Sequence, residues 1–410
     1  MNRSLPEDPL IRSLVQQARR AQIGRAQLSR RALLGVAGGG AAALALAACS
    51  TGGTTKLTPA KDISATDKSM VWANWPAYMD VDPDDDSKHP TLDAFTAKTG
   101  IKVDYREDVD DNNSYYAKVK DQLALGKDIG ADTVCLTDWM VSRWIRFGYT
   151  QELDHAKIPN IKNLNPSLLD IDYDKGRKHS LPWQGGFAGI CWNKEKFPNG
   201  FTSVSEMFKE PELKGRVGVL SEMRDTIGLI MLEQGVDISK NFKDADFQKA
   251  LDVLKKNISD GVIRNVKGNS YLDDLTNGDT LAAVCWSGDI TLINGENGDK
   301  WQFAIPDAGG TLWNDNYLIP IGAKHKANAE AVMNWYYEPR IAAEVAAYVN
   351  YITPVEGAKE EAVKIDPDLA NNQLIFPDDT TLAKAKVFRT LTPAQEQSYS
   401  SAFQQVLLGA

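Results

Sequence analysis

Cysteine and histidine are scarce in this chain of 410 residues, and neither falls in a pattern that carries chemistry. The four cysteines, Cys49, Cys135, Cys191 and Cys285, contain no Cys-x-x-Cys pair and are too few for a disulfide scaffold. The four histidines, His89, His155, His179 and His325, stand far apart, and none has a second ligand at metal spacing. No metal site is expected. Also missing are a Gly-x-Ser-x-Gly elbow, a phosphate-cradling glycine loop after a strand and a His-Glu-x-x-His helix. Long apolar runs are lacking as well. The one near-continuous run able to cross a bilayer is Ala32 to Cys49, at the N-terminus, which excludes a multi-span membrane protein. At 43% apolar and 25% charged residues, the remainder is an ordinary globular composition, large enough for two domains; disorder and collagen are excluded.

Basic charge is unevenly distributed. Residues 1–48 hold seven arginines (Arg3, Arg12, Arg19, Arg20, Arg25, Arg30, Arg31) against Glu7 and Asp8, a balance of +5; the net charge of −9 therefore leaves −14 on everything after them. An acidic body disfavours nucleic acid and anionic lipid headgroups, and charge focused in a cleft favours a cationic ligand.

The basic segment has the three parts of an export signal: an Arg-bearing stretch, an apolar run and a small-residue end. Ser29-Arg30-Arg31-Ala32-Leu33-Leu34 resembles the twin-arginine signal, and the run after it is rich in Gly and Ala. It closes on Leu46-Ala47-Ala48-Cys49, which resembles a bacterial lipobox. Residues 1–48 then read as a lipoprotein signal peptide, Cys49 as the lipidated residue and 49–68 as a flexible tether; the alternative is a signal anchor that stays in the membrane. Acyl chains on Cys49 would hold the protein at the outer side of the cytoplasmic membrane. Cys135, Cys191 and Cys285 each lie inside an apolar stretch and read as small core residues, with a disulfide among them left open.

From Ser69 on, short β-rich runs alternate with helical patterns, which predicts an α/β architecture in two lobes with mainly parallel pairing. Strands are expected at Ser69–Ala73, Ile101–Tyr105, Thr133–Leu136, Leu181–Trp192, Val217–Leu220, Ala282–Trp286, Phe303–Pro306 and Tyr317–Ile321. Helices are expected at Thr91–Thr99, Ser114–Leu125, Asp138–Phe147 (capped by Thr137 or Asp138), Asp225–Glu233, Phe247–Lys256, Ala327–Tyr337 and Arg340–Tyr348. Two acidic stretches, Asp80 to Asp86 and Asp108 to Asn112, lack the central Gly and distal Glu of a calcium loop and read as a solvated loop and a helix N-terminus.

The ten tryptophans carry the strongest signal. Several fall just beyond predicted strands, where ligands bind in open α/β sheets: Trp75 and Tyr78 after the first, Trp139 after the third, and Trp286 and Trp313 late in the chain. Carboxylates accompany them: Glu222 and Asp225 after the Val217 strand, Asp289 after Trp286, and Asp315 after Trp313. Aromatic walls with carboxylates suit an organic cation, since a ring face contributes about 0.5 to 2 kcal/mol of cation–π attraction, while a desolvated ammonium needs a carboxylate partner.

These residues fall in motifs. Over nearly all of Ser69 to Leu408 the chain resembles the spermidine/putrescine-binding proteins, receptors of polyamine ABC transporters. Asn74-Trp75-Pro76-Ala77-Tyr78 is similar to the family's Asn-Trp-x-x-Tyr, and Phe95 to Val103 and Tyr116-Ala117-Lys118-Val119 follow its next elements. Thr137-Asp138-Trp139 falls on a hydroxyl residue with an aromatic two positions on, and Glu222-Met223-Arg224-Asp225 on Asp-x-Arg-Glu with the two acids exchanged. Trp286-Ser287-Gly288-Asp289 resembles the Trp-x-Gly segment, and Gly309 to Asp315 its Gly-Gly-x-x-Trp-x-Asp. Glu344 stands near a family Gln that helps bind ligand, and Tyr351-Ile352-Thr353-Pro354 resembles Tyr-Pro-Thr-Pro. The chain departs from the family in an insertion around Asp82 to His89 and in the Glu/Asp exchange, which moves each carboxylate by one methylene.

The resemblance implies a two-lobe, periplasmic-binding-protein-like (type II) fold: lobe one from 69–181 and 317–345, lobe two from 183–313 and 346–410. Trp75, Tyr78, Thr137 and Trp139 would line one side of the cleft and Glu222, Asp225 and Trp286 the other, with Asp289, Trp313 and Asp315 near the hinge and Glu344 beside the ligand. It implies a monomer that captures a polyamine and delivers it to ABC permease subunits, with no cofactor, no nucleic acid and no catalysis. A sugar or quaternary-amine receptor in the same fold, and a secreted hydrolase using two carboxylates, are the alternatives.

Overall fold

The computed structural model describes residues 57–85 and 87–409; the export signal, Cys49, the tether as far as residue 56 and Asp86 of the acidic insertion lie outside them. The expected tether is held to the body from Ala60 on, whose amide donates to Ile321 O at 2.9 Å as that of Ile63 does to Lys324 O at 2.8 Å. The first elements follow the expected order. Strand β1 (Ser69–Asn74) leads to α1 (Pro90–Thr99), β2 (Lys102–Glu107), α2 (Asn112–Ala124), β3 (Thr133–Thr137) and α3 (Asp138–Arg146). Then come the long β4 (Ser180–Asn193), β5 (Val217–Leu220), α4 (Met223–Glu233) with Glu222 at its N-cap, α5 (Asp244–Ser259), β6 (Ile263–Lys267), β7 (Ala282–Trp286) and α6 (Ser287–Asn297). The chain ends with β8 (Trp301–Ala304), β9 (Gly310–Leu318), α7 (Lys326–Tyr336), α8 (Pro339–Val349) and, after shorter helices, α9 (Pro393–Leu407).

The main strands form one sheet in the order β2-β1-β3-β9-β4-β7-β5-β6. Pairing is parallel on the two flanks, as expected, but β9 runs antiparallel to both β3 and β4, and β4 antiparallel to β7. The antiparallel centre has a physical cause: β4 and β9 carry the chain between the two halves, so they enter the sheet from opposite ends. Strand β9 also starts at Gly310 rather than at the expected Tyr317.

Apolar residues collect in two clusters. In the first, the fully buried Trp72 ring packs 5.2 to 5.6 Å from Tyr105, Trp183, Tyr317 and Tyr336. The second is built on Val217, Ile227, Phe247 and Phe403, with Tyr399 of α9 stacked on Phe247 at 3.9 Å. Val349, Tyr351, Val355 and Phe376 pack in the first cluster, whereas the expectation places 346–410 wholly in lobe two; Phe388, Leu391 and the α9 side chains join the second. The short apolar faces after α8 lie within reach of α8 itself, which keeps them on its side. Cys135, Cys191 and Cys285 are buried and free. The acidic stretches hold their own backbone: Asp82 accepts from the Asp84 and Asp85 amides, and Asp111 caps α2 through Ser114 N at 2.9 Å. Among the described residues no group of side chains could hold a metal ion, and no helix is long and apolar enough to cross a membrane.

Candidate functional site

The two parallel flanks, β1 with β3 and β5 with β7, run in opposite directions, and their C-terminal ends meet at one cleft with about 680 Å³ of empty space including its mouth. After β1, Ala77 turns through φ 55° and donates its amide to Glu107 Oε1, leaving Trp75 and Tyr78 on the cleft wall. After β3, Thr137 occupies the N-cap of α3 without capping it; its hydroxyl instead donates to Asp315 Oδ1 at 2.6 Å and accepts from Asn112 Nδ2 at 2.9 Å.

After β5, Glu222 caps α4, accepting the Arg224 amide at 3.2 Å, and Asp225 sits in the helix's first turn. A helix N-terminus favours both negative charges. Burial outweighs it: Glu222 is pushed up to about 7, with Arg224 opposing and Asp225 reinforcing the shift. Asp225 is also raised by burial, against hydrogen bonds from Thr311 and from Trp286 Nε1 at 2.8 Å.

After β7, Asp289 lies in the first turn of α6 and accepts Tyr271 OH at 2.9 Å and Tyr351 OH at 2.6 Å. Burial still lifts its carboxyl to about 6. Along β9, Thr311, Trp313 and Asp315 recur at every second residue, the spacing that puts side chains on one face of a strand. Asp315 is pushed up to about 7 by burial, against the Thr137 hydrogen bond.

The aromatic wall is continuous. Trp286 and Trp313 centroids lie 6.4 Å apart, Trp313 and Tyr351 5.2 Å, and Tyr351 and Tyr78 5.6 Å. Glycine makes this possible: a Cβ on Gly186 would fall 2.5 Å from the Trp313 ring, and one on Gly288 would fall 2.6 Å from Tyr351. None of the cleft-lining residues is Lys, Arg or His, while Asp110, Asp111, Glu222, Asp225, Asp289 and Asp315 all line it.

Nine of the eleven expected ligand contacts therefore meet in one cleft: Trp75, Tyr78, Thr137, Glu222, Asp225, Trp286, Asp289, Trp313 and Asp315. Trp139 and Glu344 do not. Trp139 stands behind the wall, donating its indole N–H to Glu222 Oε2 at 3.1 Å. Glu344 lies on α8 and is held by Arg340, one turn earlier, while the helix buries Ala342, Val345 and Ala346. Tyr271 and Tyr351, the partners of Asp289, were not expected. The Tyr351-Ile352-Thr353-Pro354 motif marked the second in the sequence, while nothing near Tyr271 marked the first.

A model of the family described as bacterial extracellular solute-binding protein matches residues 91–372. The chain belongs to this family. Among its relatives, this solute-binding protein is 29% identical over 324 residues to spermidine/putrescine-binding periplasmic protein 1 of Haemophilus influenzae, which covers 78% of the chain and 84% of the relative. It is 26% identical over 364 residues to the putrescine-binding periplasmic protein PotF of Escherichia coli, covering 85% and 93%. A solved structure from Listeria monocytogenes matches with a TM-score of 0.71 at 27% identity, covering 83% of this chain and 98% of that one. The spermidine/putrescine ABC transporter substrate-binding protein PotD of Streptococcus pneumoniae matches with 0.66 at 25%, covering 83% and 99%. The fold is thus the two-lobed, periplasmic-binding-protein-like α/β fold, with the cleft between lobes.

Proposed function

We propose that this protein is the polyamine receptor of an ABC importer. The observation that carries the reading is a cleft walled by aromatic rings that holds six carboxylates and no basic side chain. Of the six, Asp225, Asp289 and Asp315 are buried, and burying carboxylates with no basic side chain in the lining is costly. Ammonium groups from a ligand supply the missing charge, and its methylene segments lie between the rings. A sugar would leave the carboxylates uncompensated, and a quaternary amine could not donate hydrogen bonds to them. The names of the relatives support the same ligand class.

In this reading no bond is made or broken, so the protein is a carrier and not an enzyme. Lobe one comprises 69–181 and 317–345 and, by their packing, Trp183 and 346–376; lobe two comprises the rest of 183–313 and the α9 region. The lobes close on the ligand, and the closed monomer delivers it to the permease. The signal at 1–48 exports the chain, and lipid on Cys49 keeps it at the membrane.

Calorimetric titration with spermidine, putrescine, betaine and a simple sugar tests the ligand class. Spermidine or putrescine should bind, and at 100 times its dissociation constant should stabilise the fold by about 2.7 kcal/mol. Asp289→Asn and Asp225→Asn should each weaken binding at least about tenfold, some 1.4 kcal/mol. Binding of betaine or a sugar but of neither polyamine would overturn the assignment, and unchanged affinity in both variants would overturn the site. Turnover of a glycan that vanished in Glu222→Gln would restore the hydrolase.

A further inference from the structure

Outside the cleft lining, elements from both apolar clusters meet around one buried carboxylate. Helix α3 buries Met140, Val141 and Trp144 in the first cluster, and α9 buries Tyr399, Phe403 and Val406 in the second. Between the helices Glu396, only 5% exposed, is held at both oxygens. Arg143 Nη2 lies 2.5 Å from Oε1, and Arg146 Nη2 lies 2.8 Å from Oε2. The Trp139 ring lies beside them, with the Arg143 guanidinium 4.9 Å and the Arg224 guanidinium 4.1 Å from its centroid. Its indole N–H reaches Glu222, which does line the cleft.

We propose that Arg143, Arg146 and Glu396 form a clasp that holds the closed form, and that Trp139 is a positioning residue tying this clasp to the Glu222 carboxylate. The proposal rests on the receptor reading, because opening and closing of the cleft is what the clasp biases. Both partners regain water when the lobes part, so the clasp shifts the equilibrium rather than locking it. Ligand and clasp then favour the same state: each makes closure easier for the other. The clasp is not what fixes α9 to its lobe, because the Tyr399 ring stacked on Phe247 and the buried Phe403 do that independently.

The test uses Glu396→Gln and, as a milder change at a partly exposed group, Arg146→Gln. In a chain carrying Cys49→Ser, spin labels at Leu125→Cys and Lys249→Cys, both exposed, report the distance between lobes, Cys135, Cys191 and Cys285 being buried. In ligand-free protein either variant should lengthen that distance distribution. Spermidine or putrescine should dissociate about tenfold faster from Glu396→Gln, and Glu396→Asp should recover part of the difference. A folded variant with the wild-type distance distribution and dissociation rate would overturn the clasp. Should neither polyamine bind the wild type, the receptor reading fails, while the distances in ligand-free protein still decide the clasp.

Discussion

The carboxylates of the cleft set a proton balance. Glu222 and Asp315 are pushed up to about 7 and Asp289 to about 6, in each case foremost by burial. A cationic ligand favours the ionised forms, so binding should expel protons from these groups. Affinity should rise with pH from 5 to about 7.5 and then level, and titration at pH 6 in buffers of different ionisation heat should show net proton release. Proton uptake, or affinity that falls with pH, would refute the charge pairing. The sign for stability is opposite. Because the folded state binds these protons more tightly than the unfolded chain does, raising the pH from the usual carboxylate range through 6 to 7 should destabilise the ligand-free protein. The residues involved were legible as Trp-linked acids near strand ends. Their electrostatics were not, because burial and the pairings of Asp225 with Trp286 and of Asp289 with Tyr351 join residues far apart in the chain.

At the scale of elements, legibility followed pattern strength. Strand β1 and helices α1 to α3 have clear apolar spacing and lie close to their expected bounds. Strand β6, Ile263-Arg264-Asn265-Val266-Lys267, is absent from the expected strands because it is an edge strand with only two apolar residues. Helix α6 escaped because it is buried on most sides and opens with Ser287-Gly288-Asp289, so it shows no amphipathic stripe. That opening is also where an element meets the site. A methyl group at Gly288 would lie 2.6 to 2.7 Å from three atoms of the Tyr351 ring, although alanine suits a helix better than glycine. Gly288→Ala should therefore displace Tyr351 from Asp289 and weaken polyamine binding roughly tenfold, about 1.4 kcal/mol, as Tyr351→Phe should also weaken it. Overpacking of this kind costs about 1–3 kcal/mol, so thermal unfolding should show a lower midpoint. Full affinity in Gly288→Ala would mean that the Tyr351 seat is not needed for the ligand.

The whole molecule joins a segment of charge +5 to a body of −14, and the topology of the body bears on how the first is used. Strand β3 ends at Thr137, yet its neighbour β9 begins at Gly310, with Asp315 opposite Thr137. The centre of the sheet, and the floor of the cleft with it, can form only after most of the chain is present. Contacts so distant in sequence slow folding and leave sheet edges exposed meanwhile. If the twin-arginine-like segment at Arg30-Arg31 is the export signal, a route that lets the sheet close before export would suit such a body. Arg30→Lys with Arg31→Lys should leave the protein in the cytoplasm with its signal uncleaved. Cys49→Ser should leave it exported but without lipid, and cell fractionation should show less of it at the membrane. On the proposed lipidation, acyl chains on Cys49 would account for the difference, because the acidic body adds no attraction to anionic headgroups. Undiminished export of the double lysine variant would remove the folded-cargo argument, and membrane retention of Cys49→Ser would restore the uncleaved signal anchor as the explanation of the apolar run.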